Sequence, residues 1–205
     1  VYRNPSQTTS SIVRCGLHAA AKRDRIAGDN LPANSSIDSQ SLITNMTDSK
    51  YHYLFGPVRS RRLGLSLGVD ILPMKTCTQN CLYCQLGKAA PVALKGKVYV
   101  PAEAVLDEVR RRVEEGLTAD FMTLSGSGEP TLHSDLGQII DGIKKLTSIP
   151  VAIITNGTLL YQPEVRHQCA KADVVMPSLD AGDEETFARL NNPHPELNFE
   201  VFVNG

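Results

Sequence analysis

From residue 65 onward the apolar positions switch regularly between two periods. Leu65–Leu72 alternates apolar and small or polar residues, uses strand-forming types, and stops at Pro73, which predicts a strand. Pro101 then opens a helix whose apolar positions are Val105, Leu106, Val109 and Val113, and Gly116 closes it. Asp120–Ser125 predicts a buried strand, followed by a tight loop over Gly126–Pro130. Ser134 is the expected N-cap of a helix carrying Leu136, Ile139, Ile140, Ile143 and Leu146. Pro150–Thr155 predicts the next strand, residues 163–170 a helix, Asp173–Leu179 a strand, and residues 183–190 a last helix. Four strand–helix units of this length imply crossover connections and a parallel sheet. A closed eight-fold barrel takes about 250 residues. The chain has 205. The expected fold class is therefore α/β, a partial (β/α) TIM-like barrel with parallel strands, truncated toward its C-terminus. The alternative, an open doubly wound sheet, lacks a Gly-x-Gly-x-x-Gly after the first strand.

Residues 1–45 break the pattern. They are rich in Ser, Thr and Asn, with no sustained period. Such a composition buries little surface, so this stretch is expected to be a disordered or non-native tail. Met46 is the expected start of the folded core, 46–205. Net charge is -1, which gives no global reason to expect a nucleic-acid partner. No apolar run is long enough to span a bilayer, and the first forty residues lack the apolar segment of a signal peptide. A cytoplasmic location without membrane association is expected.

The five cysteines are an odd number, and three of them fall within eight residues: Cys77-x3-Cys81-x2-Cys84. In a reducing compartment such a group points to metal or redox chemistry rather than disulfides. Structural zinc normally takes four ligands in two separated pairs, and no fourth Cys or His is close by. Cys81 and Cys84 alone form a C-x-x-C, as in dithiol redox sites. A [4Fe–4S] cluster takes cysteine on each iron, so three ligands would leave one iron open. The three readings are an iron–sulfur cluster, zinc and a dithiol. Cys15 and Cys169 stand apart, the second as a small buried residue in a helix.

Other candidates lie at the ends of later strands, where parallel sheets bind ligands. In Gly126-Ser127-Gly128-Glu129-Pro130 the glycines permit close backbone approach, and Glu129 offers a carboxylate to an ammonium group. The loop is otherwise an ordinary turn. Thr155-Asn156-Gly157 and Ser178-Leu179-Asp180 end the next two strands, as turn and helix-cap residues or as ligand contacts. Arg59, Arg61, Arg62 and Lys75 form a basic group ahead of the cysteines, either a solvated face or a contact for an anion. His52, His133, His167 and His194 show no metal spacing, and only His133 lies near a candidate site.

The cysteine spacing, with Tyr83 just before the last cysteine, resembles the signature of the radical SAM enzymes. Gly56–Gly64, Ser66–Pro73 and Tyr83–Gly87 resemble a subgroup related to the wybutosine tRNA-modification enzymes. The likeness covers about residues 51–200. It implies a [4Fe–4S] cluster on Cys77, Cys81 and Cys84, with S-adenosylmethionine (SAM) on the fourth iron. Reductive cleavage of SAM to a 5′-deoxyadenosyl radical would then lead to hydrogen abstraction from a substrate, which makes the chain an oxidoreductase. The resemblance also implies an electron donor of flavodoxin or ferredoxin type, and RNA as a candidate substrate. Gly126–Pro130 resembles the family's Gly-Gly-Glu-Pro motif, which binds the amino group of SAM. Here Ser127 replaces the first Gly, while Gly128, Glu129 and Pro130 match. Tyr83, Thr155, Asn156, Ser178 and Asp180 are placed by the same resemblance near SAM. The alternative from another class is a non-enzymatic iron–sulfur or zinc protein for electron transfer or sensing.

Overall fold

In the computed structural model the chain is described over residues 50–87 and 92–205. The N-terminal tail, Met46 and Cys15 lie outside these residues, as do residues 88–91 of the loop that follows the cysteines.

Five strands form one sheet in the order β1 (Leu54–Ser60), β2 (Gly64–Val69), β3 (Phe121–Leu124), β4 (Val151–Thr155) and β5 (Val174–Pro177). Strands β2 to β5 are parallel, as the alternating pattern requires. Helices α1 (Ala102–Glu114), α2 (Leu136–Leu146) and α3 (Pro163–Cys169) make the crossovers between them. Two shorter helices, α4 (Glu184–Asn191) and α5 (Phe199–Asn204), follow β5.

The period of two along each strand sorts the side chains onto two faces. Leu67, Val69, Met122, Leu124, Val151 and Ile153 pack with Val105, Leu106 and Val109 of α1 and Ile139, Ile140 and Ile143 of α2. Ile139, Ile140 and Ile143 are fully buried, so truncating any one to alanine costs about 2–5 kcal/mol. The opposite face carries a smaller cluster with no helical member: Leu63, Ala152, Val174 and Met176, with Phe121 and Ile154 against it. A parallel sheet covered by helices on one face is the wall of a TIM-like barrel, and here the barrel is not closed.

Two elements depart from the sequence-based expectation. The run around Gly56-Pro57 forms β1, antiparallel to β2, with the register shifting between Phe55 and Val58. Phe199–Asn204 is a helix capped by the Asn198 side chain, and its Phe202 stacks on Phe187 at 5.1 Å. The N-cap of α2 is Asp135, one residue beyond Ser134.

Candidate functional site

Because β2 to β5 run parallel, the segments leaving their carboxyl ends gather on one side of the sheet. The chain leaving β2 pairs with the loop leaving β3. Thr76 and Gly128 form a parallel bridge, flanked by Lys75 N–H donating to Ser127 O at 2.5 Å and Glu129 N–H donating to Thr76 O at 2.9 Å. Gly128 is required there. A Cβ at 128 would lie 1.8 Å from the Thr76 carbonyl oxygen. The close approach that Gly128 permits is thus to the lead-in of the cysteine loop. Ser127 donates through both its amide (3.0 Å) and its hydroxyl (2.5 Å) to Asp70 Oδ2 at the end of β2. The serine that replaces the motif's first glycine is therefore a second tie between the same two segments.

Glu129 is buried. Oε1 accepts from Thr131 N (3.1 Å), Thr131 Oγ1 (2.6 Å) and Thr155 Oγ1 (2.5 Å), and Oε2 accepts from Asn156 N (2.6 Å). The carboxylate joins the end of β3 to the end of β4. Burial raises its pKa, and the hydrogen bonds act in the opposite sense.

The cysteine loop is held from two directions. From β4, Asn156 Nδ2 donates to Thr78 Oγ1 at 2.8 Å and to Cys77 Sγ at 3.5 Å. From α4, the carbonyls of Asn191 and Asn192 accept from Asn80 N (3.0 Å each), and Leu190 O accepts from Leu82 N (2.9 Å). Asn191 Nδ2 reaches Cys81 Sγ (3.6 Å) and Tyr83 Oη (3.1 Å), and Tyr83 Oη donates to Asp180 Oδ2 (2.5 Å). Cys77, Cys81 and Cys84 are free thiols and partly buried. Burial pushes the Cys77 thiol up to about 11, against the pull of the Gln79 N–H and the Asn156 amide. It raises Cys81 as well, against hydrogen bonds from Tyr83 and Asn191.

Most residues singled out in the sequence therefore meet here: the three cysteines, Tyr83, Ser127–Pro130, Thr155, Asn156 and Asp180. Ser178 does not join the cysteines. It lines an apolar groove of about 560 Å³ beside β5 with Leu160, Phe202 and Val203. Asp180 is not a helix cap, since Asp183 caps α4 through Thr186 N. The basic group of the sequence divides in two. Arg59, Arg61 and Arg62 belong to the β1–β2 hairpin, and Ser60 pairs with Gly64 at the amino end of β2. Lys75 lies past the carboxyl end of that strand. The arginines thus lie toward the end of β2 opposite the cysteine loop, as a solvated face. His133 is fully buried, with ring nitrogens on Val100 and on the Asp135 amide, a packing role.

Asn191 was not legible in the sequence, because it stands 110 residues from Cys81. Lys75 carries another signal. Its φ is +63°, and its Nζ is buried with no hydrogen-bond partner among the described residues.

These features fit an iron–sulfur cluster. Three reduced thiols share one loop, two of them receive amide N–H groups, and the Lys75 Nζ, two residues ahead of the first cysteine, is buried with no hydrogen-bond partner among the described residues. Among the described residues, no three Cys, His, Asp or Glu side chains converge on one metal ion. A cubane does not need them to, since each thiolate takes its own iron. Cys77, Cys81 and Cys84 would hold it. Among the described residues no helix is long and apolar enough to cross a membrane.

Comparison with known proteins agrees with this geometry. A protein of Brachyspira hyodysenteriae named GTPase Obg is 45% identical over 166 residues, covering 80% of this chain and 24% of that protein. A UPF0026 protein of Synechocystis is 39% identical over 153 residues, 74% of this chain and 57% of its own length. A probable GTP 3′,8-cyclase of Methanococcus aeolicus is 32% identical over 135 residues, 64% of this chain and 42% of that protein. The chain thus spans from about a quarter to under three fifths of these relatives. The family model for the radical SAM superfamily, whose members use a [4Fe–4S] cluster and SAM, matches residues 71–205. That match begins at the end of β2 and takes in the cysteine loop, the Gly126–Pro130 loop and α4, so the chain belongs to the radical SAM superfamily.

Proposed function

We propose that this chain is the cluster- and SAM-binding core of a radical SAM enzyme that abstracts hydrogen from its substrate. One observation carries the reading. The loop with three free thiols is joined by backbone pairing to Gly126–Pro130 and by an amide to Asn156, so the segments implied for cluster and SAM form one structural unit. When bound, the cluster and SAM supply the one-electron and radical chemistry.

The chain's own residues position and enclose. Cys77, Cys81 and Cys84 hold the irons. Glu129 fixes the ends of β3 and β4, so that the backbone of Gly126–Pro130 is presented to the SAM amino group. Thr155 is one of the donors that fix Glu129, and the Thr155–Gly157 segment lies along the same rim. Tyr83 and Asp180 close the side facing α4. Ser178 ends β5 at the outer edge of this rim and is the candidate for a SAM ribose contact. Lys75 supplies positive charge beside the thiols. A flavodoxin- or ferredoxin-like donor would deliver the electron, and the cytoplasm is the compartment that suits reduced thiols.

The finer likeness to the wybutosine subgroup rests on Gly56–Gly64, Ser66–Pro73 and Tyr83–Gly87. It draws no support from the relatives above, which carry the names GTPase Obg, UPF0026 and GTP 3′,8-cyclase. RNA and GTP are both substrates to try. The arginines of the β1–β2 hairpin, at the far end of β2, give RNA no footing at the site.

The test is anaerobic reconstitution with iron and sulfide, followed by dithionite and SAM. The proposal expects an absorption shoulder near 400 nm and release of 5′-deoxyadenosine. A reconstituted protein that binds its cluster but neither binds nor cleaves SAM would establish the non-enzymatic alternative. Absence of any cluster would remove both.

A further inference from the structure

We propose that Asn156 and Asn191 are positioning residues that raise the reduction potential of the cluster, through side-chain N–H···S hydrogen bonds to Cys77 and Cys81. The inference rests on the reading above and assigns these two side chains a task that the motifs do not. Asn156 is oriented by a closed ring of bonds. Its Oδ1 accepts from Thr158 N (3.0 Å) and Thr158 Oγ1 (2.7 Å). Thr158 Oγ1 and Thr78 Oγ1 are 2.6 Å apart, and Thr78 Oγ1 accepts from Asn156 Nδ2. Every hydroxyl in that ring has one direction open to it, and the second Nδ2 hydrogen is left for Cys77 Sγ at 3.5 Å. The amide cannot flip without setting its NH2 group against the Thr158 N–H.

Asn191 is oriented by a chain instead of a ring. Tyr83 Oη gives its hydrogen to Asp180, so toward Asn191 it can only accept. That selects Nδ2 as the atom facing Tyr83 and Cys81, with Cys81 Sγ at 3.6 Å. Asn191 Oδ1 is buried without a partner among the described residues. The donors of this amide are thus used while its acceptor is not, an arrangement that serves the sulfur. Among the described residues no side-chain amide reaches Cys84, so the two bonds make the ligand set asymmetric.

A thiolate ligand carries more negative charge when its cluster is reduced. An N–H pointed at it therefore stabilises the reduced form more than the oxidised form. Asp180 acts through Tyr83 and Asn191 without touching sulfur, whereas Tyr83 itself also lies against Cys81.

The experiment uses the full chain, reconstituted anaerobically and titrated with a reductant, without SAM or substrate. The reduced cluster is followed by electron paramagnetic resonance. N191L at full iron loading is expected to shift the reduction equilibrium about tenfold toward the oxidised form, which is about 59 mV for a one-electron couple. Y83F, which releases the amide's orientation, should shift it in the same sense by less. N156A should lower it independently of N191L. If N191L does not load, N191S and Y83F carry the same comparison. Loaded variants with the wild-type potential would overturn the proposal while leaving the radical SAM reading intact. A wild-type chain that takes up no cluster would overturn that reading, and the proposal with it.

Discussion

Gly128→Ala perturbs the backbone bridge that joins the lead-in of the cysteine loop to the loop leaving β3. The added Cβ would sit 1.8 Å from Thr76 O, 2.7 Å from Thr76 C and 3.1 Å from Leu72 Cδ1. Two of these neighbours are backbone atoms and cannot rotate away. To move from 1.8 Å to even 3.0 Å the two segments must part by 1.2 Å. That separation breaks the flanking bonds from Lys75 N to Ser127 O and from Glu129 N to Thr76 O. At about 1 kcal/mol for each bond, with some strain retained, the cost is roughly 2–3 kcal/mol. For a folded region of this size that lowers Tm by roughly 4–12 °C. Thr76 is adjacent to Cys77, so the displacement also reaches the first ligand, and iron per chain should fall by more than half. Gly116→Ala is the control. It has the left-handed φ of +83°, open space around its Cβ and no connection to the cysteines. It should cost roughly 1 kcal/mol and leave iron content unchanged. Thermal unfolding by circular dichroism and iron analysis after anaerobic reconstitution measure both. If Gly128→Ala retains the wild-type Tm and full iron, the loop is not held by this bridge, and the account of Gly128 is wrong.

The remaining predictions concern neighbouring groups. Glu129→Ala leaves the buried N–H groups of Thr131 and Asn156 without acceptors; at about 1–3 kcal/mol each the loss is roughly 2–6 kcal/mol, read by urea unfolding of the apo chain, and a loss under 1 kcal/mol would refute the role of hub. Lys75→Met removes a buried amine that has no hydrogen-bond partner among the described residues and should stabilise the apo chain by roughly 1 kcal/mol while weakening cluster retention against a chelator; a destabilised apo chain would contradict it. Burial lowers the His133 pKa against the pull of the Val100 carbonyl and of Asp135, so below about pH 6.5 the unfolded chain takes up a proton that the folded chain refuses. Stability from this residue is therefore complete above that pH and declines as pH falls through it, and His133→Gln should flatten the profile of unfolding free energy between pH 7.5 and 5. Serine at any one of Cys77, Cys81 and Cys84 should abolish the cluster spectrum, whereas Cys169→Ala, in the core, should keep it; thiol redox activity that survives loss of Cys77 but not of Cys81 or Cys84 would restore the dithiol reading.

Local patterns carried the parallel strands and the first four helices, because most of them have a legible apolar period and a Gly, Pro or capping residue at a boundary. Ile139, Ile140 and Ile143 announce a buried helical face wherever they occur in a chain. Strand β1 was illegible because Gly56 and Pro57 interrupt it, and its pairing depends on β2. Helix α5 has only six residues and is held by Phe187, which no local rule supplies. At the site, spacing identifies the three cysteines, since their chemistry is written in eight consecutive residues. It names the Glu129 carboxylate but not its bonds to Thr131, Thr155 and Asn156, because a motif shows which residues recur and not which way a side chain turns. It groups Arg59, Arg61 and Arg62 with Lys75, since neighbours in sequence can lie at opposite ends of a strand. Asn191 needed the fold itself.

The attachment of α4 to the cysteine loop also has a consequence in time. Cys81 leaves the ribosome 110 residues before the Asn191 amide that contacts it. At about 5–20 residues per second that interval is roughly 5–20 s. Throughout it the thiols have no α4 to shelter them, and the backbone of Asn80 and Leu82 lacks the carbonyls it binds in the finished fold. The shelter that α4 gives the cysteine loop is thus completed only after Asn191 has emerged. Oxidants reach the young cysteines more easily than they reach the finished site.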